Sequence, residues 1–235
     1  MASLLYLTAR KIPAPEQIAD LRGRLERAFP HEENSAYLDA LCGSPLPRVT
    51  AERLGALALL PSLLETAGVD SADLILRRDG NGRPYCVQEN GSPVGFDFNL
   101  SHSAAHVACA LLMGDSRVGL DVEEPVSPQR ALPLLNRYCT TGEMAMLGRS
   151  PEEAPQAAAT FFTSIWTGRE ALAKQAGSGM PLRFDCSAVP SSLLLMRGIL
   201  PDTQASIAVC APLWVSLCLT TDSLPILFPK ESSPR

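Results

Sequence analysis

The sequence lacks the features that mark membrane proteins and nucleic-acid-binding proteins. No uninterrupted apolar run reaches the roughly 20 residues that a membrane-spanning helix needs, and no basic segment precedes an apolar run at the amino terminus. We therefore expect neither a membrane partner nor a secretory signal. The chain carries 20 basic and 25 acidic residues, a net charge of −5. Because non-specific binding of nucleic acid requires clustered Lys and Arg, we expect no nucleic-acid partner.

Paired cysteines and the common nucleotide-binding loops are missing as well. None of the seven cysteines forms a C-x-x-C pair, and several lie in apolar runs, as Cys109 does. We therefore expect buried thiols in a reducing cytoplasm and no structural zinc site. The sequence contains no Walker-type loop, no G-x-G-x-x-G fingerprint and no G-x-S-x-G elbow, which disfavours P-loop enzymes, dinucleotide-binding enzymes and α/β-hydrolases.

What the sequence does contain is a mixture of helical and strand periodicity. Two short apolar runs in 74–87 flank Asp79-Gly80-Asn81-Gly82, a strong turn signal, and predict a β-hairpin. The apolar segment 107–112 should be a central strand and should form a second, antiparallel hairpin with 118–122. We further predict helices over 15–29, 51–67, 129–138, 142–147 and from about residue 150 to 176, and strands over 4–8, 96–100, 182–186, 192–196, 206–211 and 213–220.

Two local signals refine this outline. Thr50 is the expected N-cap of the helix at 51–67, and Pro61 should kink or split that helix. Residues 124–130 are rich in turn formers, so we place a boundary there. The predicted organisation is an N-terminal half over 1–123 and a C-terminal half over 124–235.

Asp121 and Glu123 form the first group that could carry chemistry. On a strand, residues two apart point to the same face, so both carboxylates lie together while Val122 and its apolar neighbours cover the other face. Gly119 shares the acidic face and should leave room there for a ligand. A hard cation would relieve the repulsion between two anions held this close. The alternative is an ordinary half-solvated strand, because this spacing is common.

Glu170 and Lys174 form the second group, on the long helix. Glu170 falls at the rim of the apolar stripe, one turn after Trp166, where partial burial could shift its pKa. The alternative is a Glu–Lys pair that stabilises the helix by about 0.2–0.5 kcal/mol. The chain uses only 3 Lys against 17 Arg, so a Lys at this position favours a compact ammonium for a phosphate oxygen.

Ser101-His102-Ser103 forms the third group. His102 is one of three histidines, lies at the end of a predicted strand and is flanked by two hydroxyls. It could donate a hydrogen bond to a phosphate, or pair with a serine as a nucleophile. The alternative is a structural histidine with capping serines.

The three groups together carry a family resemblance. FNLSHS occupies 98–103, VGLDVEE occupies 118–124, and F-x-x-x-W-T-x-R-E-A-x-x-K-x-x-G-x-G occupies 162–179, with Gly82-Arg83-Pro84 upstream. In order and spacing, this set resembles the Sfp-type 4′-phosphopantetheinyl transferases. The resemblance implies an α+β fold of two similar halves, each a helix packed on a small antiparallel sheet. The halves would be related by pseudo-twofold symmetry, with the ligand in the cleft between them, in a monomer.

The resemblance also implies an activity. The family moves the 4′-phosphopantetheine arm of coenzyme A onto a serine of an apo acyl or peptidyl carrier protein and releases adenosine 3′,5′-bisphosphate. By resemblance, Asp121, Glu123 and Glu170 would hold a Mg²⁺ ion, and Asp121, Glu170 and Lys174 would be catalytic. Glu170 would accept the proton of the carrier serine, and a water on the metal ion is the alternative base. The coenzyme A contacts implied are Arg53, Arg83, Pro84, Ser101, His102 and Lys174.

The chain departs from the family pattern near its start. Many relatives carry basic residues there that grip the 3′-phosphate, whereas residues 28–47 contain no Lys or Arg. Arg48 and Arg53 would then have to suffice.

Two rival functions use the same residues. A non-catalytic relative could bind coenzyme A or a carrier protein, but the intact set of Asp121, Glu123, Glu170 and Lys174 argues against it. A Mg²⁺-dependent phosphoesterase could use the same carboxylates, but it needs a second metal ion or an evident nucleophile, and the sequence offers neither.

Overall fold

The computed structural model describes residues 3–148, 150–177, 189–220 and 223–228. It confirms a mixed α+β fold. Over these ranges the helices are α1 (Ile18–Ala28), α2 (Glu32–Cys42), α3 (Pro47–Leu57), α4 (Leu60–Thr66), α5 (Pro128–Tyr138), α6 (Thr141–Met146) and α7 (Pro155–Ala176). The strands are β1 (Ser3–Lys11), β2 (Leu74–Arg78), β3 (Pro84–Gln88), β4 (Phe96–His102), β5 (His106–Met113), β6 (Gly119–Glu123), β7 (Leu193–Leu200), β8 (Ala205–Pro212) and β9 (Val215–Leu219).

The first sheet has the strand order β4-β5-β1-β9, and β5 is a central strand as predicted. β5 runs antiparallel to β4 and β1, whereas β9 runs parallel to β1. Both faces of β5 are buried because its alternate residues enter two different cores: Cys109 and Leu111 pack with the helices α1–α4, and Ala110 and Leu112 pack with the second sheet. This explains why the sequence of β5 is apolar throughout.

The second sheet has the strand order β6-β8-β7 and lies between the first sheet and α7. Leu120 and Val122 of β6 face the core shared with the first sheet. Ala171 and Leu172 of α7 pack against β8 on the opposite face. The predicted alternation of β6 is therefore confirmed, and Asp121 lies on the face that α7 covers.

The expected hairpin between 107–112 and 118–122 is wrong. β5 pairs with β4 and β1, and β6 pairs with β8 in the other sheet. Both edges of β5 are already occupied, so the chain after the turn at Gly114 crosses to the second sheet. The predicted hairpin of 74–87 does form, as β2 paired with β3.

The helical predictions need three corrections. The helix predicted from about residue 150 begins later, at Pro155. The predicted helix over 51–67 starts earlier, at Pro47, so Leu46 is its N-cap and Thr50 is buried inside it. It is split into α3 and α4 around Ala58, and Pro61 occupies the first turn of α4, where its missing N–H is tolerated. α2 was not predicted: its N-cap is His31, which is outside the preferred set of capping residues. The predicted strand 182–186 lies outside the described residues.

Sheet pairing crosses the predicted boundary near residue 124. β6 precedes the boundary and pairs with β8, which follows it, and β9 follows the boundary and pairs with β1. The division into halves at this point stays a prediction. No helix within the described ranges is long and apolar enough to cross a membrane.

Candidate active site

Asp121 lies where β4, β6 and α7 meet. Its carboxylate is 4% exposed. Its Oδ1 accepts a hydrogen bond from Ser101 Oγ of β4 at 2.9 Å and from Lys174 Nζ of α7 at 2.6 Å. Lys174 Nζ also lies 3.2 Å from Ser101 Oγ. The fold thus brings one residue from each of the three sequence groups into mutual contact.

The carboxylates around this point have the chemistry of a cation site. Asp121 Oδ2 is buried and has no hydrogen-bond partner among the residues that the structure describes. Burial and the charge of Asp121 raise the pKa of Glu123 to about 7, with Glu124 and Glu170 adding to this and Lys174 opposing it. Burial and Asp121 also raise the pKa of Glu170. Several anions therefore repel one another here, and a divalent cation would relieve that repulsion.

The donor set therefore fits Mg²⁺, which favours a few carboxylates completed by water and substrate phosphate. Within the part of the chain that the structure describes, however, no three His, Cys, Asp or Glu side chains stand close enough together to hold a metal ion. Metal binding by Asp121, Glu123 and Glu170 stays a prediction, supported by the unpaired Oδ2 of Asp121.

Gly119 does not leave room for a ligand. A Cβ atom at this position would lie 1.9 Å from the carbonyl oxygen of Ala171 and 2.6 Å from the backbone nitrogen of Gln175. The backbone of α7 occupies the space predicted for the ligand. The absence of a side chain at Gly119 lets α7 approach β6 closely, and this approach carries Glu170 and Lys174 to Asp121.

A cleft of about 310 Å³ opens between the β2–β3 turn and the C-terminal part of α7. Glu170 and Lys174 line one side, and Pro84 lines the cleft from the hairpin. α7 ends at Gly177, whose φ of 70° is the left-handed conformation expected of a C-cap glycine. The cleft therefore brings the Gly82-Arg83-Pro84 element to the same space as the helix residues.

Arg83 lies in this region, but its guanidinium is engaged by the protein. It donates to Asp97 Oδ2 at 2.5 Å and to the carbonyl oxygens of Phe98, Val118 and Lys174 at 3.0, 2.8 and 2.7 Å. Burial raises the pKa of Asp97, and the charge of Arg83 opposes that shift. The guanidinium ties the hairpin to β4, to the start of β6 and to α7. Its predicted contact with coenzyme A stays a prediction.

His102 lies on the side of the site nearest α3. His102 Nδ1 is 3.6 Å from Glu52 Oε2, and Glu52 also accepts a hydrogen bond from Arg48 Nε at 3.0 Å. Arg53 is exposed on the same helix. The sequence interpretation missed Glu52, because a glutamate four residues after an arginine is typical of an exposed helix pair.

Glu124 is a second residue that the sequence interpretation missed. Its carboxylate accepts hydrogen bonds from Ser103 Oγ at 2.7 Å and from the backbone N–H groups of Ala104 and Ala105 at 2.6 and 3.0 Å. It also lies 2.9 Å from His106 Nδ1. These contacts fix the turn that follows His102. No local signal distinguishes Glu124 from Glu123, because its partners lie about 20 residues earlier in the chain.

Comparison with known proteins points to one family. Residues 117–195 match the family model of the 4′-phosphopantetheinyl transferase superfamily. The 4′-phosphopantetheinyl transferase AcpT of Salmonella typhi is 36% identical over 123 residues, 52% of this chain and 60% of that protein. The 4′-phosphopantetheinyl transferase Sfp of Bacillus subtilis strain 168 is 25% identical over 180 residues, 70% of this chain and 73% of that protein.

A further 4′-phosphopantetheinyl transferase of Bacillus subtilis is 29% identical over 133 residues, 54% of each chain. The chain thus spans 60% of the length of AcpT. The segment that matches the family model contains Asp121, Glu123, Glu170 and Lys174.

Proposed function

We propose that this chain, a relative of the 4′-phosphopantetheinyl transferases, transfers the 4′-phosphopantetheine arm of coenzyme A to a serine of an apo acyl or peptidyl carrier protein. The observation that carries the proposal is the contact of Ser101, Asp121 and Lys174, which come from β4, β6 and α7. A buried carboxylate, an ammonium and a hydroxyl beside a cleft suit the binding and transfer of a phosphate group.

Asp121, Glu123 and Glu170 would hold the Mg²⁺ ion. When bound, the ion neutralises charge on the pyrophosphate of coenzyme A as the carrier serine attacks. The unpaired Oδ2 of Asp121 supports this assignment, because Oδ1 is already occupied by Ser101 and Lys174. One carboxylate can then serve two purposes, orienting Lys174 through one oxygen and offering the other to the ion.

Lys174 would contact the phosphates and offset the charge of the departing adenosine 3′,5′-bisphosphate. Its ammonium is held by Asp121 at the edge of the cleft, so its position is fixed before the ligand arrives. Ser101 and His102 would bind a phosphate of the same ligand. Pro84 and Arg83 would line the adenosine end, and Arg53 would add a further contact from α3.

Glu170 would take the proton of the carrier serine. Without the metal ion, burial and Asp121 raise the pKa of Glu170. Mg²⁺ on the same carboxylate would lower that pKa and make Glu170 a poorer base, so a water on the ion is the alternative proton acceptor. Glu170 lies one helical turn before Lys174 and lines the same cleft, so the proton acceptor and the cation that stabilises the leaving group come from one face of α7.

We also propose the organisation that the resemblance implies. The halves 1–123 and 124–235 would be related by pseudo-twofold symmetry and would enclose the ligand between them, so that one chain supplies the whole site as a cytoplasmic monomer. The position of Asp121 between β4 and α7 is compatible with such a shared cleft.

One assay tests the function. The protein is incubated with Mg²⁺, coenzyme A and an apo carrier protein of fatty-acid, polyketide or peptide synthesis, and the carrier is weighed by mass spectrometry. We expect a mass gain equal to the phosphopantetheine arm, no gain for a carrier whose acceptor serine is alanine, and no gain in excess EDTA. Free phosphopantetheine or phosphate without carrier modification would favour a phosphoesterase, and binding without either product would favour an inert relative.

A further inference from the structure

β4 and β6 belong to different sheets, yet a regular set of hydrogen bonds joins them. Alternate side chains of β4 accept from alternate backbone N–H groups of β6, and we call this set the side-chain ladder. Its rungs run from the N–H groups of Val118, Leu120 and Val122 to Asp97 Oδ2, Asn99 Oδ1 and Ser101 Oγ, at 2.8, 2.8 and 3.3 Å. Both strands advance by two residues per rung.

The side-chain ladder replaces a missing backbone ladder. Among the residues that the structure describes, β6 is an edge strand of the second sheet and pairs with β8 on one side only. The other edge presents N–H groups that need acceptors because they are buried. The backbone of β4 is already paired with β5, so the side chains of β4 supply the acceptors. Strand periodicity of two places them on one face, opposite β6.

Of the three hydrogen bonds in the side-chain ladder, the one accepted by Asn99 involves the fewest other contacts of the site. Asp97 also holds Arg83, and Ser101 also holds Asp121 and Lys174, so changing either alters other contacts directly. Asn99 is 5% exposed, and its Oδ1 accepts the N–H of Leu120, the residue immediately before Asp121. Asn99 also lines the cleft between the hairpin and α7. The measurement that tests the side-chain ladder itself is therefore hydrogen exchange at Leu120 in protein without ligand.

We propose that Asn99 is a positioning residue that sets the register of β6 against β4, and so places Asp121 and Glu123 beside Ser101 and Lys174. This inference rests on the proposed function. Its physical basis is that the side-chain period of a strand is two residues. A slip of β6 by one residue would turn Asp121 into the core that Leu120 and Val122 now occupy, and would bring apolar side chains to the site.

The chain offers a matched control in Asn34. It is 1% exposed, and its Oδ1 accepts the backbone N–H of Leu76 on β2 at 2.8 Å. Asn34→Leu and Asn99→Leu each remove the acceptor of one strand N–H and keep the number and branching of the side-chain heavy atoms. Asn34 also donates to two carbonyl groups, so its loss perturbs the fold at least as much. Only Asn99 touches the strand that carries the predicted metal ligands.

Two measurements separate the variants. Hydrogen exchange is followed by NMR in protein labelled with ¹⁵N-leucine: Asn99→Leu should speed exchange at Leu120 and leave Leu76 protected, and Asn34→Leu should do the reverse. The Mg²⁺ concentration for half-maximal carrier modification should rise about 10–100-fold in Asn99→Leu, as for loss of an outer-shell partner of a metal ligand. It should stay at the wild-type value in Asn34→Leu. Asn99→Asp keeps the acceptor and should restore protection at Leu120.

The outcomes distinguish this inference from the proposed function. An unchanged Mg²⁺ requirement in Asn99→Leu, or an equal rise in Asn34→Leu, overturns the positioning role. Wild-type protein that modifies no carrier overturns the proposed function, while exchange at Leu120 still decides whether Asn99 holds β6. If Asn99→Leu does not fold, Asn99→Ser, which is smaller and moves the acceptor oxygen back along the side chain, takes its place in both measurements.

Discussion

Replacing Gly119 by alanine should damage both stability and transfer, because the backbone of α7 lies where the new methyl group must go. The added Cβ would lie 1.9 Å from the carbonyl oxygen of Ala171. The two must separate by roughly 1 Å or more to reach ordinary van der Waals contact, and neither strand nor helix backbone can rotate away as a side chain can. Overpacking in a core typically costs about 1–3 kcal/mol of the free energy of unfolding.

The effect on transfer should exceed the effect on folding. Glu170 and Lys174 sit on the turn of α7 that Gly119 contacts, and a displacement of about 1 Å in an active site costs up to a hundredfold in rate. We therefore expect Gly119→Ala to lose about 1–3 kcal/mol of stability in urea unfolding and to modify the apo carrier about a hundredfold more slowly. Gly80→Ala is the control, since a Cβ there meets nothing within 4 Å. Wild-type stability and rate in Gly119→Ala would refute this account of the packing.

Three further predictions follow from charged groups. Glu170→Gln should abolish carrier modification while coenzyme A still binds in calorimetry; near-normal turnover would contradict its role as base. Arg169→Met should cost about 3–5 kcal/mol of unfolding free energy in urea, because Arg169 and Glu143 form an ion pair at 2.6 Å and each side chain is 2% exposed. Combining Arg169→Met with Glu143→Leu should recover part of the loss. An Arg169→Met variant as stable as wild type would contradict this role of the ion pair. In EDTA, the melting temperature should fall as pH rises from 4.5 to about 7. The raised pKa of Glu123 lets the folded protein bind a proton in this range that the unfolded chain has already released. Glu123→Gln should flatten the slope of melting temperature against pH, and a wild-type slope in that variant would exclude Glu123 as its source.

Local periodicity was sufficient to predict the elements that carry the site. Alternation in Phe96–His102 and Gly119–Glu123 predicted β4 and β6, and it correctly placed Asp121 on the face opposite Leu120 and Val122. The end of the helix of Glu170 and Lys174 was predicted at about residue 176, and α7 ends at Ala176. These features depend on neighbours in sequence, which a strand or helix repeats at a fixed interval.

Features that depend on distant residues could not be predicted in this way. The partner of β6 is β8, more than 80 residues later, and no local pattern prefers it over β5. Gly119 looks like an open position until α7 is placed against it. The motif around Arg83 gives no sign that its guanidinium binds Asp97 and three carbonyl groups of other segments. In each case the deciding fact is what packs against the residue in three dimensions.

The structure also changes the meaning of the overall acidity of the chain. The guanidinium of Arg83 is matched by Asp97, and the ammonium of Lys174 is matched by Asp121. Glu170 lines the cleft proposed to take a pyrophosphate, and Glu123 lies close enough to Glu170 for their charges to repel. Two carboxylates that repel each other also disfavour a further anion, and the Mg²⁺ ion proposed above would relieve that repulsion. Mg²⁺ would therefore act in the binding of coenzyme A as well as in the transfer step, and the scarcity of lysine in this chain makes that contribution larger.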